Sequence, residues 1–149
     1  MGMTRRLKMQ NETNMRKLGN GRAEFVYKCV IEAKNYEGNI SADYKSYVKK
    51  LPHLIRTNGL GNALAFIVSK PKNRAHDLIY KQLSRWLESG NNGCAVLRRG
   101  NDLLEFVVSQ PSQTYRQLTS ETLAFLNWVR RLAEGLIEED KDVCHYQEG

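Results

Sequence analysis

No apolar run in this 149-residue chain approaches the roughly 20 residues that a membrane-spanning helix needs. We therefore expect no membrane partner. The N-terminal stretch is charged and has no apolar core, so it does not read as a secretory signal. Cysteine is scarce and odd in number, with Cys29, Cys94 and Cys144 far apart. That spacing argues against a disulfide framework and fits a reducing cytoplasm, with Cys29 a buried thiol. Histidine is equally sparse. His76-Asp77 has the dipeptide form seen in metal-dependent phosphohydrolases, but such sites need further His and Asp ligands. His53 and His145 stand at unrelated positions, and Cys144-His145 is an isolated pair. His76-Asp77 therefore reads as a surface dipeptide in the first turn of a helix. No Gly-x-Ser-x-Gly elbow occurs, and Asn58-Gly59-Leu60-Gly61 lacks the Lys-Ser/Thr continuation of a phosphate cradle. The expectation is a non-enzyme with no metal, no cofactor and no small-molecule substrate.

Strand signals are almost absent, and helical periodicity fills the space. Val26, Val30 and Ala33 recur at helical steps from Arg22 to about Asn35. Tyr44, Tyr47, Val48, Leu51 and Ile55 form the stripe of a second helix, with Ser41 or Asp43 as its expected cap. Pro52 lies inside it and predicts a kink. Gly59 is placed to end it with a positive φ. Leu60 to Ser69 is apolar nearly all round, which predicts a central, buried helix. Ala75 to Leu87 is amphipathic. Asp102 and Glu105 resemble a capping box before a short helix through Val108, and 94–97 reads as an ambiguous apolar piece. The last helix is predicted from a Ser112 cap to about Glu139, roughly 40 Å long at 1.5 Å per residue. The fold class is all-α, a single compact bundle of about six helices with a long C-terminal helix. Its organisation is an arm over 1–20, a helical domain over 21–139 and a polar tail over 140–149.

Charge is the remaining feature. The net charge is +7, and residues 1–59 alone carry 12 Lys+Arg against 5 Asp+Glu. Residues 112–149 carry 4 against 7. Such asymmetry suits a polyanion partner, although a solvated basic surface has the same composition. Lys45, Lys49, Lys50 and Arg56 lie on one helix at spacings that allow a shared face. Arg130 and Arg131 interrupt the last helix, and Arg16, Lys17 and Arg22 are placed to extend the patch. Lys and Arg without base-reading neighbours favour phosphate contacts, which are salt-sensitive and independent of sequence. For Arg130 the competing reading is an ion pair with Glu134 one turn on. The helix-turn-helix outline around Gly59 fails as a DNA reader, because only Asn62 at the start of its second helix can hydrogen-bond a base. Trp86 and Phe125 read as core, while Trp128 and Tyr80 sit at stripe edges, suited to core or interface.

Several runs, taken in order, carry a resemblance. They are Tyr44-Lys45-Ser46-Tyr47-Val48-Lys49-Lys50-Leu51-Pro52, then Asn58-Gly59-Leu60 with Leu64-Ala65-Phe66, then Leu126-Asn127-Trp128-Val129-Arg130-Arg131-Leu132-Ala133. Arg22-Ala23-Glu24 and Lys28 precede them. Together they resemble the small helical subunit of the Cmr complex, the type III-B CRISPR effector that targets RNA. The match covers roughly 22–137, and residues 90–110 depart most. The resemblance implies a non-catalytic subunit whose copies stack along the guide–target RNA, beside a repeated backbone subunit that cuts the target. Its implied partners are guide and target RNA, the other Cmr subunits and copies of itself. A protein-interaction module that stabilises the complex without touching RNA is the alternative.

Overall fold

Six helices and no strand are found among the described residues of the computed structural model, which are 21–90 and 96–138. They are α1 (21–34), α2 (Ser41–Asn58), α3 (Leu60–Val68), α4 (Arg74–Glu88), α5 (Leu103–Val108) and α6 (Ser112–Leu136). The all-α expectation holds, with the long helix at the C-terminal end. The expected arm, the tail from Asp140, and Cys94 lie outside the described residues.

One apolar cluster holds the helices together. α6 contributes Leu118, Phe125, Leu126, Val129 and Ala133, and α2 contributes Tyr44, Val48, Leu51 and Ile55. Each fully buried Leu, Val or Phe side chain stabilises the fold by about 1.5–3 kcal/mol before entropy is subtracted. α2 packs against α6, α3 and α4, while α3 also meets α4 and α5. α2 runs antiparallel to α6. Lys45 near its start reaches Ile137 just past the end of α6, and the turn that ends it meets Tyr115 near the start of α6.

That turn is a single residue. Gly59 has φ +87°, a value L side chains rarely adopt, and its N–H donates to the Ile55 carbonyl at 2.8 Å. The next glycine, Gly61, donates its N–H to the Tyr115 hydroxyl at 2.9 Å. The predicted breaker at Gly59 is therefore real, and Tyr115 locks it onto α6.

Several local expectations are corrected. Neither Ser41 nor Asp43 caps α2; the helix begins at Ser41 after buried Ile40, whose carbonyl accepts the Tyr44 N–H at 2.8 Å. Burial of Ile40 fixes the chain entry without a side-chain cap. Pro52 lies within the helical span of α2, as expected. Ser112 is the first helical residue of α6 rather than its cap, because Pro111 precedes it with φ already near the helical value. α6 stops at Leu136, where Ile137 turns extended and buries its side chain.

α3 is not buried all round. Leu60, Ala63, Leu64 and Ile67 face the core, but Phe66 and Val68 are 42% and 48% exposed. A nine-residue helix at the side of the bundle covers its neighbours with one face only. His76, expected at the surface, is instead 1% exposed, with its ring centroid 3.5 Å from that of Tyr47. Phe66 meets it edge-on at 5.7 Å. The Asp102 cap is as expected: its carboxylate accepts the Glu105 N–H at 3.2 Å and the Tyr80 hydroxyl at 2.6 Å. Burial and that contact push the Tyr80 phenol up to about 12. Tyr80 thus pins α4 to α5.

Candidate nucleic-acid interface

The cations of the sequence separate into engaged and unengaged sets. Arg22 is engaged: its Nε and Nη2 donate to Glu121 Oε1 and Oε2 at 2.9 and 2.7 Å. Glu121 is 6% exposed, and its Oε1 also accepts the Trp86 indole N–H at 2.8 Å. A fork of this kind holds its guanidinium firmly. The expectation of Arg22 in a phosphate-binding patch is therefore corrected: it closes the core where α1, α4 and α6 meet.

Lys45 is also corrected. It is 9% exposed, and its Nζ donates to the Ile137 carbonyl at 3.2 Å. A cation on one of the last carbonyls of a helix is favoured by the orphan acceptors and the negative dipole end there. Its position on α2 lies toward the core side of the Lys49 edge, so its aliphatic stem is covered while the ammonium reaches α6. Lys17 and Arg16 lie outside the described residues.

Lys49, Lys50, Arg56 and Arg131 are exposed, and their side chains make no hydrogen bond or ion pair among the described residues. Lys49 and Arg56 are seven residues apart, so at 3.6 residues per turn they share one edge of α2, about 20° apart. Lys45 and buried Pro52 lie beside that edge, and Lys45 shows that it faces α6. Lys50 is about 100° round from Lys49, on the far side of the helix. The four α2 cations therefore do not form one face. They divide into an engaged Lys45, a Lys49/Arg56 edge and a separate Lys50.

α6 supplies the other wall. Arg130 is half-buried, its Nη2 donates to Asn127 Oδ1 at 3.4 Å, and its buried Nε–H has no partner. The alternative of an Arg130–Glu134 ion pair is not formed. Arg130 lies about 60° round α6 from Tyr115, the residue that meets the α2–α3 turn. Arg116 lies on the same flank of α6, about 40° from Arg130, and is exposed. Sequence reading missed Arg116; its adjacency to Tyr115 becomes informative only once Tyr115 is seen on Gly61. Arg131 points about 100° away, on the outer face with Asn127.

Lys49 and Arg56 thus share one edge of α2, and Arg116 and Arg130 share one flank of α6. Three further cations are matched locally: Lys28 with Glu24 at 3.5 Å, Lys81 with Asp77 at 2.8 Å, and Arg85 with Glu32 at 2.8 Å. Asn62, the one candidate base reader on α3, donates its amide to the Asn58 carbonyl at 2.8 Å. No group of three or more His, Cys, Asp or Glu side chains able to hold a metal occurs among the described residues. Burial pushes the Cys29 thiol up to about 12, leaving it unreactive at neutral pH. No helix among the described residues is long and apolar enough to cross a membrane.

Comparison with known proteins agrees with this architecture. The family described as CRISPR-associated protein (Cas_Cmr5) matches residues 18–136. The CRISPR system Cmr subunit Cmr5 of Thermus thermophilus is 37% identical over 117 residues, covering 78% of this chain and 93% of that protein. The crystal structure of a CRISPR-associated Cmr5 family protein, also from Thermus thermophilus, superposes with a TM-score of 0.66 at 33% identity. That superposition covers 81% of this chain and 98% of the other. In sequence and in fold, this chain belongs to the Cmr5 family of CRISPR-associated proteins.

Proposed function

We propose that this protein is a non-catalytic small subunit of a type III-B (Cmr) CRISPR ribonucleoprotein in antiviral defence. It assembles with other Cmr subunits and with copies of itself along the guide–target RNA. Its contribution is a sequence-independent grip on the RNA backbone. The observation that supports this reading is that Lys49 and Arg56 on one edge of α2, and Arg116 on α6, are exposed with no hydrogen bond or ion pair among the described residues. Arg130 adds a buried Nε–H that a phosphate oxygen would satisfy. Lys50 and Arg131 extend the positive field from neighbouring faces and suit a second strand or an adjacent subunit's RNA.

The test is RNA affinity as a function of salt. Each phosphate contact contributes about 0.7 to the slope of log affinity against log salt on a single strand. Lys49→Glu with Arg56→Glu should weaken binding uniformly across RNA sequences and flatten that slope by about one contact each. An unchanged slope in this double variant would remove the edge from the proposed site.

The second reading is a protein-interaction module that does not touch RNA. Exposed Phe66 and Val68 on α3 favour it, since large apolar side chains left in water suit a protein partner. Photo-crosslinking of guide RNA in the assembled complex separates the two. Crosslinks on α2 and α6 support RNA contact, and their absence supports the module.

A further inference from the structure

His76 sits in a closed slot where three helices meet. It is 1% exposed, and neither ring nitrogen has a hydrogen-bond partner among the described residues. Tyr47 of α2 lies against it with ring centroids 3.5 Å apart, and Phe66 of α3 meets it edge-on at 5.7 Å. A neutral imidazole carries one N–H and one lone pair, so even the uncharged ring leaves a donor and an acceptor unpaired. The imidazolium would add a second unpaired N–H and a full charge, which burial penalises far more.

The residue is tied into the corner between α3 and α4. Its backbone N–H donates to Asn73 Oδ1 at 3.1 Å, and the Asn73 amide donates to the Tyr47 hydroxyl at 2.9 Å. Asn73 thus caps α4 and grips α2 at once. Beside this grip the corner is thinly held, because residues 68–72 are all exposed. Segments of this kind open locally at less cost than the core. The charged groups acting on the ring are Asp43 of α2, which favours the cation, and Lys70 of the turn, which opposes it. α3 carries no charged residue, and on α4 Asp77 is paired with Lys81 at 2.8 Å. Lys70 also stands 5.8 Å from the Phe66 ring centroid, so the corner already holds one cation. Burial first, and then Lys70, keep the ring neutral until the pH falls below its ordinary 6.5.

We infer that His76 is a proton-operated latch of the α3–α4 corner: the neutral ring holds the corner on Tyr47, and uptake of one proton from solvent expels the ring and frees the corner while the core stays folded. At neutral pH the latch is closed and the imidazole backs Phe66. On acidification that backing is lost, and the part of α3 that exposes Phe66 and Val68 is remodelled. The latch is built into the chain alone and does not depend on RNA.

The experiment uses the full-length protein without RNA. Native-state hydrogen exchange is followed in low urea at about pH 7.5 and about pH 5.5, one unit either side of the ordinary histidine value, with intrinsic rates corrected for pH. The corner amides are Ser69, Lys70 and Asp77, which donate to the Ala65, Ile67 and Asn73 carbonyls at 2.9, 3.1 and 3.1 Å. Phe125 and Val129, buried on α6, are the core references. A proton taken up only by the open form raises the open population about tenfold over this interval. The expected result is that rise at the corner, through an opening insensitive to urea, and its loss in His76→Phe. A corner that exchanges with the same urea dependence as Phe125 and Val129 opens only by global unfolding, which overturns the latch. An unchanged corner overturns it too. NMR of the imidazole C2–H in the wild type gives a readout that stands even where His76→Phe does not fold. His76 should titrate below exposed His53, and the two titrating together would overturn the latch.

Discussion

Trp86 and Glu121 are joined by a 2.8 Å hydrogen bond in which the indole N–H donates to a carboxylate that is 6% exposed. Arg22 completes the acid's coordination from α1. One carboxylate thus ties three helices separated by up to 99 positions in sequence.

Removing that carboxylate should be costly. Glu121→Ala leaves a largely buried guanidinium and an indole N–H without partners, and we expect a loss of about 3 kcal/mol or more in urea denaturation. Arg22→Lys keeps the charge but not the bidentate fork, so its cost should be smaller. Any loss of RNA affinity in Arg22→Ala should follow the fraction unfolded, and should vanish under conditions where the variant is fully folded.

Lys45 makes a contrasting prediction to Lys49. Lys45→Met should cost about 1.5–3 kcal/mol, the range for a hydrogen bond to a charged group, and should speed amide exchange at the end of α6. Lys49→Met should leave the melting curve within about 0.5 kcal/mol, as an exposed substitution does, and weaken RNA binding instead.

The turn at Gly59 is expected to resist substitution. Gly59→Ala forces a side chain into φ +87° and brings its Cβ within 3.4 Å of the Tyr115 hydroxyl. Strain of this kind costs about 1–3 kcal/mol. Tyr115→Phe, which removes only the hydrogen bond to the Gly61 N–H, should cost about 1 kcal/mol. Chemical denaturation of the two variants checks both figures.

His76 should make stability depend on pH. Burial first, and then the Lys70 charge, lower its pKa below the usual 6.5, with Asp43 opposing. Its ring nitrogens are buried without partners, so the folded state holds it neutral. The unfolded chain then takes up more protons just below pH 6.5, and stability falls as pH drops through that value toward the lowered folded pKa. Above it the contribution is complete. His76→Phe keeps the ring packing on Tyr47 and should flatten this part of the curve. Melting temperatures of both proteins measured across the window decide it, and equal slopes would sink the assignment.

Much of the fold is legible in the sequence because the apolar spacing is helical almost throughout. The short Asp102 cap and the Gly59 break are legible for a local reason: both are set by residues within three positions. The failures share a different cause. α3 reads as wholly apolar, yet depth depends on what lies on each side of a helix, and nothing in nine residues reports that. Glu121 did leave a signal, since an acid on the Leu118–Phe125 stripe implies a buried partner. Its identity, Arg22, is fixed only by packing.

The sequence by itself determined an all-helical chain, its break points and an excess of positive charge toward the N-terminal half. Those follow from local propensity, periodicity and composition. Only the tertiary structure decided which cations are available. Lys45 and Arg22 look like their neighbours in sequence, but their partners lie 92 and 99 positions away, at the end of α6 and on its buried face. Long flexible side chains take whichever acceptor the packed helices bring near, so which cations stay exposed is a property of the packing.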